Sequence, residues 1–200
     1  MISTILLAAG QSKRMGKENK LTKKINGTPL INHSIKNILA SAVDELIIVL
    51  GHEKEIIEKF IIINKKIKIT FNKNYESGIA SSIKIGLDNL SKKNESFFIA
   101  LADMPMVNQN IYNKLIKSKY NYNKKKSPMH KKEIIIPTYE GRNGNPILFS
   151  RFIKNKIMDI KGDFGAKKVI ELFPDKILYV PFKNNSIILD FDNQENFENL

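Results

Sequence analysis

Two short segments carry side chains whose types and spacing suit phosphoryl chemistry. The first is Leu7-Ala8-Ala9-Gly10-Gln11-Ser12-Lys13-Arg14-Met15-Gly16, with Lys20 close behind it. Small residues directly after an apolar run let a ligand approach the main chain, and free N–H groups in such a turn can cradle phosphate. Arg14 and Lys20 would add fixed positive charge against a triphosphate. The spacing is not that of a Walker A loop, because five residues separate Gly10 from Gly16 and Lys17 is followed by Glu18. G-x-G-x-x-G is absent as well, which argues against a dinucleotide-binding oxidoreductase. A purely structural glycine turn is the competing reading.

The second segment is Ala102-Asp103-Met104-Pro105, which closes the most apolar run of the chain, Ser96–Ala102. Packing explains a carboxylate there poorly, because burying one unpaired is costly. A helix cap is the alternative. Mg²⁺ takes one or two carboxylates and completes its shell with phosphate oxygens and water, so one Asp here suits a metal–triphosphate site. A second carboxylate must come from elsewhere, and Asp190 and Asp192 end the last strand-like stretch. His33, His52 and His130 have neither metal-ligand spacing nor a companion motif, and no catalytic role is assigned to them.

Residues this far apart meet only if the elements before them end at one edge, as strands of an open α/β sheet do. Strand-like runs fall at Ser3–Ala8, Glu45–Leu50, Ile67–Phe71 and Ser96–Ala102. Between them lie helical patterns: Ile31, Ile35, Ile38 and Ala42 behind Pro29, then Ile56 to Ile61, then Ile79, Ile83, Leu87 and Leu90. Asn108 is placed to cap a helix carrying Ile111, Leu115 and Ile116. Glu133–Tyr139 and Pro146–Ser150 read as strands around the turn-rich stretch from Glu140 to Asn145. A helix from about Asp163, which reads as its N-cap, to Phe173 and strands near Lys176–Phe182 and Ser186–Phe191 complete the chain. Repeated βα units predict an α/β fold: a three-layer, mostly parallel, doubly wound sheet in a single domain spanning residues 1–200.

Composition narrows the classes. The chain lacks cysteine, which excludes disulfides, thiolate metal sites and cysteine catalysis. No apolar run approaches the ~20 residues of a membrane span, and the first seven residues read as a strand rather than a leader, so a cytoplasmic protein is expected. The net charge of +13 invites a nucleic-acid reading, but only Arg14, Arg142 and Arg151 among 33 basic residues are arginine. The lysines lack interleaved aromatics, and the lysine-rich stretch Ser118–Lys132 reads as a mobile, solvated loop. Neither a nucleic acid nor a membrane is therefore expected as a partner.

The ordered set LAAGQSKRMG, Lys20, SGIASSIKIGL (77–87), ADMP (102–105), GNPILFSR (144–151), GDFGAK (162–167) and LDFDN (189–193) resembles the molybdenum cofactor cytidylyltransferases. These are a branch of the nucleotidyltransferases that carry L-A-A-G-x-S-x-R-M-G, and the resemblance covers nearly the whole chain. It implies a Rossmann-like fold of the nucleotide-diphospho-sugar transferase type, with Mg²⁺ as cofactor. The implied reaction transfers CMP from CTP to the phosphate of molybdopterin and releases pyrophosphate. Leu7, Ala8, Ala9 and Gly10 would contact base and ribose. Arg14 and Lys20 match phosphate-binding positions, and with Asp103 form the implied catalytic set. Asp103 matches the Mg²⁺-binding aspartate, and Asp192 is the implied second ligand, with Asp190 in reserve. Ser77, Gly78, Ser81 and Ser82 match a nucleotide-binding segment, although Ser81 and Ser82 equally suit a first helical turn. Gly144, Asn145 and Pro146 stand where relatives carry G-H-P, and with Gly162, Asp163 and Gly165 would face the second substrate. A molybdoenzyme or its maturation chaperone would receive the product.

Sister activities share these motifs: guanylyl transfer to the same acceptor, or uridylyl or cytidylyl transfer to a sugar or polyol phosphate. A non-catalytic module that binds and delivers nucleotide or cofactor is the alternative of another class.

Overall fold

The apolar runs that lead into Gly10, Gly51 and Asp103 form the centre of one sheet. The computed structural model describes residues 1–11, 19–159 and 166–192. Its strands are β1 (Ile2–Ala8), β2 (Lys24–Ile25), β3 (Thr28–Pro29), β4 (Glu45–Leu50), β5 (Ile67–Phe71), β6 (Ser96–Leu101), β7 (Ile134–Tyr139), β8 (Arg142–Asn143), β9 (Ile147–Ser150) and β10 (Ile177–Pro181). The helices are α1 (Leu30–Leu39), α2 (Lys54–Glu58), α3 (Ile79–Asp88), α4 (Gln109–Asn123), α5 (Lys154–Met158) and α6 (Lys167–Leu172).

The main sheet runs β10–β7–β9–β6–β1–β4–β5, with β8 added to β7 and the hairpin β2–β3 apart. β1 pairs in parallel with β4 and β6, and β4 with β5, so these four strands end at the same edge. β9 runs antiparallel between β6 and β7, which makes the sheet mixed but mostly parallel, as expected. Residues of β1 alternate between two buried layers. Leu6 and Ala8 pack with α1 and α4, while Ile5 and Leu7 pack with α3 and α5. Burial on both faces explains why the central strands read as unbroken apolar runs.

Four differences from the sequence reading have physical causes. Ser118–Asn123 is not loop but the last turns of α4, and a short 3₁₀ turn at Pro128–His130 follows. Lysines there keep their stems along the surface: Lys119 Nζ reaches Ser96 Oγ at 2.6 Å, and Asn123 brackets Lys132 through both its amide groups. Ser186–Phe191 is not a strand. Ile187 and Phe191 are buried, but from a 3₁₀ turn and an irregular segment. Pro29 stands just ahead of α1 rather than within its first turn. Finally, α6 begins at Lys167, so the capping expected of Asp163 falls on a residue outside those described. Asn108 does cap α4, its Oδ1 accepting from the N–H groups of Asn110 and Ile111. The turn after β7 is a tight hairpin with positive φ at Glu140 and Gly141, and it sets Tyr139 opposite Arg142.

Candidate active site

A cleft of about 580 Å³ opens where β1, β4 and β6 end. Leu7, Ala9 and Gly10 line one wall, Tyr75, Gly78 and Ser82 the other, with Asp103 at the floor. Ala8 alternates away from it into the core, so its contribution is to the strand and not to the lining. The wall opposite β1 begins at Gly78, whose φ of 100° favours glycine and turns the chain into α3. The first turn of α3 therefore presents the positive end of the helix dipole to the cleft, an arrangement that attracts anions.

The serines of this wall divide. Ser77 Oγ donates to Asn74 O, and Ser81 Oγ donates to Gly78 O at 2.8 Å while accepting from Asn72 Nδ2 at 2.7 Å. These hydroxyls hold the turn, as the helix-turn reading of Ser81 anticipated. Ser82 also accepts from Asn72, at 2.9 Å, yet lies against the cleft. Asn72 itself is buried and had no signal in the sequence beyond following a strand.

At the cleft floor three residues distant in sequence converge. Lys20 Nζ lies 2.5 Å from Asp103 Oδ2 and also contacts Asp192 Oδ1. The side chains are only 13%, 19% and 32% exposed, in the order Lys20, Asp103, Asp192. Burial works against the Lys20 charge, but Asp103 and Asp192 outweigh it and hold the ammonium above its ordinary pKa. Asp190 sits at the rim, its carboxyl raised by partial desolvation and then by the negative charge of Asp192 and Asp103.

Each member of this cluster has its own anchor. Ser34 Oγ donates to Ala102 O at 3.0 Å and fixes the end of β6. Phe191, buried in the core, donates its N–H to Asp103 O at 2.9 Å and so carries Asp192 to the site. Asn19, also buried, caps the 3₁₀ turn Lys20–Thr22 and donates to Glu53 Oε2 at 3.0 Å. Asn19 was missed in the sequence, although an Asn directly before the basic residue is a capping signal.

Asp103 Oδ1 is buried and has no hydrogen-bond partner among the described residues. A buried carboxylate oxygen without a partner, beside a second carboxylate on the same ammonium, is a donor set short of a cation. Two carboxylates suit an ion that takes its other ligands from phosphate and water. Among the described residues no group of three or more His, Asp or Glu forms a ready-made metal cage.

A second cavity of about 590 Å³ adjoins the first, sharing Ile79 and Leu101. Gly144 and Asn145 line it, while Pro146 is buried behind a cis Asn145–Pro146 bond. Asn145 N–H donates to Ile187 O at 2.7 Å, and a Cβ on Gly144 would lie 2.5 Å from that oxygen. Arg14, Gly162, Asp163 and Gly165 lie outside the described residues.

The model of the MobA-like NTP transferase domain matches residues 4–177, which takes in the first cleft, the second cavity except Tyr179, and the Lys20–Asp103 pair. The chain belongs to this nucleotidyltransferase family. A probable molybdenum cofactor guanylyltransferase of Methanosarcina acetivorans is 30% identical over 178 residues, covering 86% of this chain and 72% of that one. The bifunctional protein GlmU of Thermosipho africanus is 30% identical over 171 residues, 85% of this chain. The chain spans about a third of the length of that GlmU, 34%. The crystal structure of Rv0371c from Mycobacterium tuberculosis H37Rv superposes with a TM-score of 0.83 at 19% identity, covering 99% of this chain and 96% of that one. The MobA-like fold is thus shared well beyond recognisable sequence identity. No helix among the described residues is long and apolar enough to cross a membrane.

Proposed function

We propose that this MobA-like chain transfers CMP from CTP to the phosphate of a molybdopterin-type acceptor. The observation that carries a catalytic reading is the Lys20–Asp103–Asp192 cluster at the floor of the cleft, with its unpartnered Asp103 oxygen. An acceptor phosphate oxygen forms the new bond to the α-phosphorus, the bond from that phosphorus to the bridging oxygen breaks, and pyrophosphate leaves. A phosphate monoester is already ionised near neutral pH, so no strong base is required. The chain's task is to bring two polyanions together and to stabilise charge on the reacting phosphates.

The N-terminus of α3, which the chain enters through Gly78, receives phosphate at the positive end of its dipole. Leu7, Ala9 and Gly10 supply a wall of small or apolar residues along which base and ribose lie. Lys20, and Arg14 by its place in the motif, offset charge on the departing pyrophosphate. Asp103 and Asp192 would hold Mg²⁺, which when bound supplies Lewis-acid stabilisation of the phosphate oxygens. The adjoining cavity at Gly144 and Asn145 takes the acceptor, since it meets the first at Leu101, two residues before Asp103.

The acceptor reading draws on the resemblance over residues 144–167 and on the Methanosarcina relative. The guanylyltransferase name of that relative also favours GTP as the donor, which is the second reading. Pyrophosphate release measured with CTP, GTP, UTP and ATP in turn, with Mg²⁺, a molybdopterin-type acceptor and Asp103→Ala as control, separates these. Release with CTP alone is expected. GTP preference moves the function to guanylyl transfer. Turnover only with a sugar or polyol phosphate replaces the acceptor, and no release with any donor leaves a binding module.

A further inference from the structure

The contact between Lys20 and two carboxylates poses a problem for a lysine whose work is on phosphates. Its ammonium lies 2.5 Å from Asp103 Oδ2 and also touches Asp192 Oδ1, so it occupies the space between the same two groups that fit a divalent cation. The three side chains are largely withdrawn from water, which leaves little solvent to screen them. Lys20 is held there from its own side as well, because the Asn19 cap and its bond to Glu53 fix the turn that begins at Lys20.

We infer that Lys20 is a built-in counter-cation of the metal position, holding Asp103 and Asp192 together until a metal–nucleotide displaces its ammonium onto the phosphates. The inference rests on the reading above that these two carboxylates take a divalent cation. Charge explains why both ligands are needed. Two carboxylates and one ammonium sum to one negative charge. A divalent cation arriving alone would leave one positive charge with two cations crowded together, whereas a triphosphate arriving with it supplies the anionic oxygens to which Lys20 can move. Metal and nucleotide therefore bind with positive coupling, and the coupling is carried by one side chain. The unpartnered Asp103 Oδ1 is the oxygen the ammonium leaves unserved.

Mn²⁺ titrations of the whole chain, followed by electron paramagnetic resonance of the free ion, test this without turnover. The wild-type chain is expected to bind Mn²⁺ weakly alone and at least about tenfold more tightly with CTP, or with whichever triphosphate supports release. Lys20→Met keeps the aliphatic stem without the charge, and Lys20→Gln keeps hydrogen-bond donors for both carboxylates. Both are expected to bind Mn²⁺ alone about tenfold more tightly than wild type, with most of the coupling to nucleotide gone. Melting in EDTA and then in Mn²⁺ provides a second readout: the variants should lose stability in EDTA and regain it with the ion, wild type much less so.

Unchanged or weaker Mn²⁺ binding in both Lys20 variants overturns the inference. The metal reading fails separately, if Asp103→Asn binds Mn²⁺ with nucleotide as well as wild type does.

Discussion

At Asp103 two demands on one carboxylate conflict. Folding would favour a neutral or fully paired group, yet one oxygen is buried with no partner among the described residues and the other rests on Lys20. Such an arrangement fits a site used for charge rather than for stability. Asp103→Asn keeps the shape and removes the charge, so kcat for pyrophosphate release should fall by about 100-fold or more. Its melting temperature should move by only a few degrees, because Lys20 retains Asp192. A large loss of stability with activity retained would assign the residue to the scaffold. Ser81 makes the opposite case. Its hydroxyl donates to Gly78 O and accepts from Asn72, and both bonds hold the turn. Ser81→Ala should cost about 1 kcal/mol in urea unfolding and leave KM for the nucleotide within twofold. A large KM change would return Ser81 to the binding set that the family resemblance implies.

Between residue and molecule, the elements decide how closely the cleft walls approach. Gly51 follows β4, and a Cβ there would lie 2.7 Å from the Cβ atoms of Ala9 and Tyr75 and 2.8 Å from Ala9 O. Two cleft walls meet over this glycine. Gly51→Ala must push them apart, at a cost of about 1–3 kcal/mol, and should raise KM for the nucleotide several-fold; unfolding curves and initial rates measure both. This tightness was not legible in the sequence, where Gly51 is simply the residue that ends a strand. The strands themselves were legible: β4 begins and ends where its apolar run does, because burial on both faces leaves a continuous signal, and the edge strand β5 was found from its flanking breaks although it is only partly buried. The same signal misled at residues 186–191, since apolar residues report burial and not backbone conformation. There Ile187 O accepts from Asn145 and Phe191 N–H donates to Asp103 O, neither as part of a ladder. Asp103 was readable because a carboxylate closing an apolar strand is out of place there, and Lys20 and Asp192 from the motifs that contain them. Asn19, Glu53 and Asn72 were not, because they act through partners 9 to 34 residues away.

Across the whole molecule the charge of +13 is carried mostly by solvated lysines, and Lys119, like Lys20, departs from that pattern. It sits at the far end of the sheet from the cleft, beside Ser96 at the start of β6. Burial, with Lys131 adding a smaller repulsion, outweighs the attraction of Glu133 and Glu95 and pushes its pKa down to about 8. In the unfolded chain the same amine titrates near 10.4. Below about pH 8 the ammonium is present in both states and folding bears the whole cost of burying it. Between about pH 8 and ~10.4 the unfolded chain holds the proton and the folded chain has released it, so stability from this group rises with pH. Above that window both states are neutral and the cost is gone. Lys119→Met removes the charge and keeps the packing stem. Relative to wild type it should therefore be more stable by roughly 2 kcal/mol at pH 7, after allowance for the lost hydrogen bond to Ser96. The advantage should shrink steadily through the window and reverse to a deficit of about 1 kcal/mol near pH 10.5, where only the lost hydrogen bond remains. Urea unfolding of the pair at half-unit pH steps reads that difference directly. An advantage that stayed constant with pH would mean that Met packs better, and that the Lys119 charge costs the fold nothing.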